Sequence, residues 1–297
     1  MIYTTLVSTE AVASAQPGDW AVVDCRFDLA NSAWGHEQYA VGHIPGAVYA
    51  SLNDDLSGPR TGTNGRHPMP ADDALVATLE RLGIGNTTQV VAYDQDSGMY
   101  ASRLWWLLRY AGHAAVAVLD GGFAKWTAEG RPVRPGLDVR PRAVFRPSFN
   151  REMHVTADDV ERRRQDGRTV LVDARAAERF EGRSETIDKI AGHIPGAHNR
   201  FFKNNLAADG TMLGAEALRA AFTQVLDGRA PADAVMYCGS GVTACHNLLA
   251  MTHAGLDGSA LYTGSWSEWS SDPSRPVETG PARADAGAGL KTRDHTE

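Results

Sequence analysis

Residues 237–246 read Tyr-Cys-Gly-Ser-Gly-Val-Thr-Ala-Cys-His, which places a cysteine at the mouth of a short glycine-spaced loop. The apolar run Ala234-Val235-Met236-Tyr237 before it reads as a strand. After it, Val242, Cys245, Leu248 and Leu249 recur at helical spacing. A loop between a strand and a helix turns its amides inward at the helix N-terminus and attracts an anion. The nearest candidate anion is the sulfur of Cys238, and both the amides and the helix dipole favour thiolate over thiol. Cys238 is the candidate nucleophile.

Two rival cysteine chemistries fit less well. A cysteine-dependent phosphatase needs arginine six positions after the cysteine to clamp three charged oxygens, and Ala244 stands there. A CxxC redox pair is absent, since Cys238 and Cys245 are seven apart. Cys25 extends an apolar strand, and Cys245 shares a helical face with Val242 and Leu249, so both read as packing residues. His246 and His253 lack carboxylate or thiolate partners at ligand spacing, and no metal site is expected.

The elements that must position the loop occur twice. Val22-Val23-Asp24-Cys25-Arg26 and Gly42-His43-Ile44-Pro45-Gly46-Ala47 are answered by Leu171-Val172-Asp173-Ala174-Arg175 and Gly192-His193-Ile194-Pro195-Gly196-Ala197. The register continues with Val90 to Tyr93 against Ala234 to Tyr237, and with Phe123 and Trp126 against Trp266 and Trp269. Two copies of one domain explain this. Short apolar runs (Ala21 to Asp24, Val90 to Tyr93, Ala115 to Leu119) alternate with helical stretches at Asp72 to Leu82 and Ser102 to Ala111. The expected fold is therefore α/β, two tandem domains, each a parallel sheet flanked by helices. Pro132, Pro135, Pro141 and Pro147 mark a linker in which Val144-Phe145 reads as a strand-like bridge. The expected division is 1–140, 141–280 and a flexible, Ala/Gly-rich tail at 281–297.

Residues shared by the halves serve the fold, because only the second half carries the nucleophile. Asp24 with Arg26, and Asp173 with Arg175, read as ion-pair braces. The His-Ile-Pro-Gly-Ala segments read as turns whose histidine bonds backbone. The halves differ where chemistry would be. Asp94-Gln95-Asp96-Ser97-Gly98 replaces Cys238-Gly239-Ser240-Gly241 and carries one extra residue, so the first half is expected to be catalytically silent. Arg179, Arg183 and Lys189 precede the second His-Ile-Pro, whereas the first half offers Asp28, Asn31, His36 and Glu37. Arg179 is a candidate for substrate charge; for Arg183 and Lys189 a solvated loop and a substrate contact both stand.

Composition bounds the partners. The 297 residues include 29 Lys and Arg against 36 Asp and Glu, a net charge of -7, which argues against a nucleic-acid phosphate backbone as ligand. No apolar run is long enough for a membrane span, no leader-like segment opens the sequence, and three cysteines suit a reducing compartment. A cytoplasmic protein is expected.

The doubled domain with His-Ile-Pro-Gly-Ala in each half, and Cys-Gly-Ser-Gly-Val-Thr-Ala in the second alone, resembles the tandem-domain rhodanese superfamily over about residues 3 to 278. Its loop is most similar to the 3-mercaptopyruvate sulfurtransferase branch; thiosulfate sulfurtransferases typically carry basic side chains where Gly239 and Ser240 stand. The resemblance implies a persulfide on Cys238, proton handling by Ser240 and a grip on the substrate anion by Arg179. It implies amide contacts from Gly239, Gly241, Val242 and Thr243. Arg183 is an additional candidate for the anion, because Asp188 and Lys189 stand where mercaptopyruvate enzymes often show a second arginine. Further implications are an anionic sulfur donor, a thiol acceptor such as thioredoxin or else cyanide, and no cofactor. Thiosulfate remains the alternative donor, and a persulfide carrier without turnover is the non-enzymatic alternative.

Overall fold

The computed structural model describes residues 2–16 and 18–282; most of the expected tail, residues 283–297, lies outside them. The first half builds five strands: β1 (Leu6–Val7), β2 (Trp20–Asp24), β3 (Val48–Tyr49), β4 (Gln89–Tyr93) and β5 (Val116–Leu119). The second builds β6 (His154–Val155), β7 (Val170–Asp173), β8 (His198–Asn199), β9 (Ala234–Tyr237) and β10 (Ala260–Tyr262). Each set forms one parallel sheet, in the orders β1-β5-β4-β2-β3 and β6-β10-β9-β7-β8. The central strands β4 and β9 are buried throughout, which is why they read as unbroken apolar runs rather than as alternation.

In both sheets the strand order reverses between two neighbours, β2 and β4 in one, β7 and β9 in the other. A crevice opens outside the carboxyl ends of such a pair, because the connecting segments leave in opposite directions. Cys238 follows β9 directly, and Ala174 to Ala176 follow β7.

Below each crevice lies the brace expected from the repeat. Arg26 Nε and Nη2 donate to Asp24 Oδ2 at 2.9 and 2.6 Å, and Nη2 also reaches the Gly42 carbonyl at 2.7 Å. Arg175 repeats this on Asp173 at 3.0 and 2.7 Å and on the Gly192 carbonyl at 2.7 Å. The histidines of the two turns are buried, and their Nδ1 atoms bond the carbonyls of Tyr39 and Phe180. These shared residues tie the crossover to the sheet, at the fully desolvated positions where a bidentate pair holds geometry.

The helices Ala101–Tyr110 and Thr243–His253 pack on each other, so that Leu104, Leu107 and Leu108 share one continuous core with Cys245, Leu248 and Leu249. The halves thus meet beside the cysteine loop. The linker corrects one expectation: Val144 and Phe145 form no strand. Val144 is exposed while Phe145 is buried in the core, so the pair alternates like a strand without an edge to join.

Candidate active site

Glycine is required at one point of the loop 238–243 and leaves room for a neighbour at another. Gly241 has φ +73°, and a Cβ there would stand 2.3 Å from the Thr263 carbonyl oxygen. At Gly239 a Cβ would stand 2.7 Å from Arg66 Nη2, so a guanidinium from the first half occupies the space a side chain would need. The loop is fastened from behind by the next crossover. Trp266 and Ser267 amides donate to the carbonyls of Cys238 and Gly239 at 3.0 and 2.9 Å, and the Cys238 amide donates to Ser265 Oγ at 3.1 Å. Ser265 is buried with φ +55°, a strained conformation for a residue with a Cβ, and its hydroxyl also donates to the Tyr262 carbonyl at 2.8 Å.

A cavity of about 210 Å³ opens above the loop. It is lined by Cys238, Gly239, Ser240, Val242 and Thr243, with Arg66 and Arg179 among the facing side chains and Met99, Tyr100, Phe201 and Phe202 as apolar walls. Cys238 is largely buried at its floor. Ser240 Oγ lies 2.8 Å from His67 Nδ1. Burial, then the charges of Arg103, Arg60 and Arg66, push His67 down to about 3. Its imidazole is therefore neutral near neutral pH, and Nδ1 can donate to or accept from the serine hydroxyl according to the tautomer.

Arg103, fully buried in the interface, holds this arrangement together: Nη1 donates to the Gly241 carbonyl at 3.1 Å, Nη2 to the His67 carbonyl at 3.3 Å and Nε to the Leu56 carbonyl at 3.3 Å. Arg179 donates from Nε and Nη2 to Glu185 at 2.8 to 3.2 Å and from Nη2 to Asp188 at 3.2 Å. Arg66 pairs with the other oxygen of Asp188, and its Nε is buried without an acceptor among the described residues. Two guanidiniums thus converge on Gly239 from opposite halves of the chain.

A buried cysteine in a donor-lined loop at a sheet's switch point, with two arginines and a serine–histidine pair around it, is suited to attack on a small anionic molecule. The rhodanese-like domain pattern matches the chain twice, over residues 8–129 and 156–272. The chain belongs to the rhodanese family. Among its relatives, a Pseudomonas aeruginosa protein named "Probable 3-mercaptopyruvate sulfurtransferase" is 43% identical over 93% of this chain and 98% of the relative. The thiosulfate sulfurtransferase of Rattus norvegicus is 36% identical over 91% of this chain and 93% of the relative. Among solved structures, 3-mercaptopyruvate sulfurtransferase from Leishmania major superposes with a TM-score of 0.81 at 30% identity, covering 90% of this chain and 74% of that one. SseA from Escherichia coli superposes with a TM-score of 0.76 at 28% identity, covering 89% and 99%.

Within this rhodanese chain the structure gathers Cys238, Gly239, Ser240, Val242, Thr243 and Arg179 around one cavity, with Gly241 at the turn beneath it. Arg183 lies elsewhere. It is exposed and pairs with Glu181 at 2.5 Å, outside the cavity wall, and Lys189 is likewise exposed. The remaining cysteines are packed. Cys25 is buried at the end of β2, and burial pushes Cys245 up to about 12 while its thiol faces the Gly241 carbonyl. Sequence reasoning missed Arg66, His67, Arg103 and Ser265. The first three come from the half without the nucleophile, and the one available signal was the Arg66-His67 pair inside an otherwise unassigned loop.

Proposed function

We propose that this rhodanese takes sulfur from 3-mercaptopyruvate onto Cys238 as a persulfide and hands it to a thiol or to cyanide. The chain is a sulfurtransferase, in keeping with relatives that carry that activity in their names. The observation that carries the donor and the residue roles is the hydroxyl of Ser240, backed by His67, beside Cys238, while both guanidiniums stand to the side. A 2-oxo acid thiol presents that pattern: a carbonyl oxygen for a neutral donor and a carboxylate for cations.

In the first half-reaction the Cys238 thiolate attacks the donor sulfur. The S–S bond forms, the C–S bond breaks, and its electron pair leaves on carbon as pyruvate enolate, which takes a proton to give pyruvate. With the neutral His67 ring carrying its proton on Nδ1 and donating to Ser240 Oγ, the Ser240 hydroxyl hydrogen is free to be donated to the oxygen on which the enolate charge gathers. Arg66 and Arg179 hold the carboxylate. The amides of Gly239, Gly241, Val242 and Thr243 cradle the outer persulfide sulfur. In the second half-reaction an acceptor thiolate attacks that sulfur and Cys238 leaves as thiolate, so electrons balance without a metal or organic cofactor. Reduced thioredoxin or a small thiol fits as acceptor, and a cytoplasmic setting fits the free cysteines. No helix among the described residues is long and apolar enough to cross a membrane.

Thiosulfate is the second reading, favoured by the two guanidiniums, which would suit its charge, and by the name of the Rattus norvegicus relative. Cyanide-dependent turnover with each donor decides between them. Higher kcat/KM with 3-mercaptopyruvate is expected; faster turnover of thiosulfate would reverse the donor assignment.

A further inference from the structure

The two guanidiniums at the cavity are not free cations. Arg66 and Arg179 contribute two positive charges, and Glu185 and Asp188, both buried behind them, contribute two negative ones. The Arg175 charge is likewise matched by Asp173. These charges cancel beside Gly239 although the seat is lined by arginines, and the buried Arg103 beneath it has carbonyl acceptors rather than a carboxylate.

The two carboxylates differ in what holds them. Glu185 accepts from the amides of Ile187 and Asp188 at 2.9 and 3.0 Å and from Arg175 at 3.3 Å, besides Arg179. It is a fixture of the second half. The side chain of Asp188 has the two guanidiniums as its partners, one oxygen on Arg66 and the other on Arg179, and only 6% of its surface is exposed. It joins the two halves across the cavity, and its charge is little screened by salt at that depth.

We propose that Asp188 is a specificity-determining residue that sets the donor charge the site accepts, disfavouring dianions relative to monoanions. The inference rests on the sulfurtransferase reading above. A fixed charge acts on a bound anion in proportion to that anion's own charge. The Asp188 carboxylate therefore opposes thiosulfate, a dianion, about twice as strongly in free energy as 3-mercaptopyruvate, a monoanion in its carboxylate. Removing it squares the gain: if kcat/KM for mercaptopyruvate rises by a factor of about 5, thiosulfate should rise by about 25, on the scale expected for one unit charge several ångström from a ligand at a partly screened site. A residue that merely positioned the arginines would act in the opposite direction on both donors.

The test compares the native protein with Asp188→Asn, which keeps the shape and one acceptor oxygen, and with Asp188→Ala, which carries the same charge change in a different shape. Near-UV circular dichroism establishes that each is folded. The thiosulfate-to-mercaptopyruvate ratio of kcat/KM should rise at least threefold in both variants. A second readout needs no turnover: protection of Cys238 from iodoacetamide by sulfate relative to pyruvate should rise in the same proportion. An unchanged or falling ratio in both readouts overturns the proposal. Absence of turnover by the native protein with either donor would instead overturn the functional reading, and the protection ratio would still decide the role of Asp188.

Discussion

The loops after β4 and β9 answer the same physical problem in two ways. In the first half the carboxylate of Asp94 lies in the nest itself: it accepts from the amides of Gly98, Tyr100 and Ala101 at 2.9, 2.7 and 3.1 Å, and from Asp96 at 3.2 Å. Burial raises its carboxyl above the usual range, and those amides pull it back down. In the second half the corresponding amides of Gly241, Thr243 and Ala244 have no side-chain acceptor among the described residues, and a cysteine stands at the loop's base. One nest is filled by the chain's own anion, and the other receives no side-chain acceptor from the described residues. Their supports are otherwise alike. The amides of Phe123 and Ala124 fasten the first loop as those of Trp266 and Ser267 fasten the second. Gly122 at φ +58° stands where Ser265 stands at +55°. The two loops differ at the nest, while the surrounding brace is shared.

The largest expected effect comes from exchanging the two anchors. Cys238→Ser should lower turnover with any donor by at least about 1,000-fold, since a serine hydroxyl at that place is neither ionised nor a sulfur carrier. Asp94→Cys should leave turnover unchanged and acquire no persulfide, because among the described residues no cation pair faces that loop. Rates and peptide masses for both variants check this. Next in size is the clamp: Arg179→Ala, and separately Arg66→Ala, should each lower kcat/KM for mercaptopyruvate by on the order of 30- to 3,000-fold, the loss typical of truncating one partner of a desolvated charge contact. Steady-state kinetics read it, and a loss confined to Arg179 would return Arg66 to a purely structural role.

Asp94→Ala tests the filled nest through stability. It strands three or four buried amides, each costing roughly 1 to 3 kcal/mol, so unfolding should be easier by several kcal/mol while turnover per folded molecule holds. Urea denaturation measures the first and active-site titration the second.

The last effect concerns pH. Burial holds His67 near 3 and His246 near 4 in the folded chain, whereas unfolded histidine titrates near 6.5. Below about 6.5 the unfolded state therefore binds protons that the folded state refuses. Stability should fall as pH drops from about 6.5 to 4.5, by up to about 1.4 kcal/mol per pH unit for each histidine. Denaturation midpoints across that range should show the decline, and His246→Asn should make it shallower.

The sequence carried the fold well because its signals were local and doubled. The apolar runs at 20–24, 89–93 and 234–237, and the paired Asp-x-Arg and His-Ile-Pro segments, each report contacts made within one half. The nucleophile and Arg179 were legible for the same reason. Arg66, His67 and Arg103 were not, since their meaning depends on where helix 101–110 meets helix 243–253, a contact between residues more than 130 positions apart. Arg183 illustrates the converse: it stands four residues after Arg179, yet the turn after the short helix Ala177–Phe180 sends it outward to Glu181. Asp94 was readable as the loss of sulfur but not as the anion that fills the nest, because that requires the amide directions.

The central claim is that Cys238 alone carries the transferred sulfur. Incubation with 3-mercaptopyruvate in the absence of acceptor, followed by peptide mass spectrometry, should find one added sulfur atom on the peptide containing Cys238, removable by cyanide with release of thiocyanate. Sulfur retained on Cys25 or Cys245, or turnover without any modified Cys238, would contradict the account.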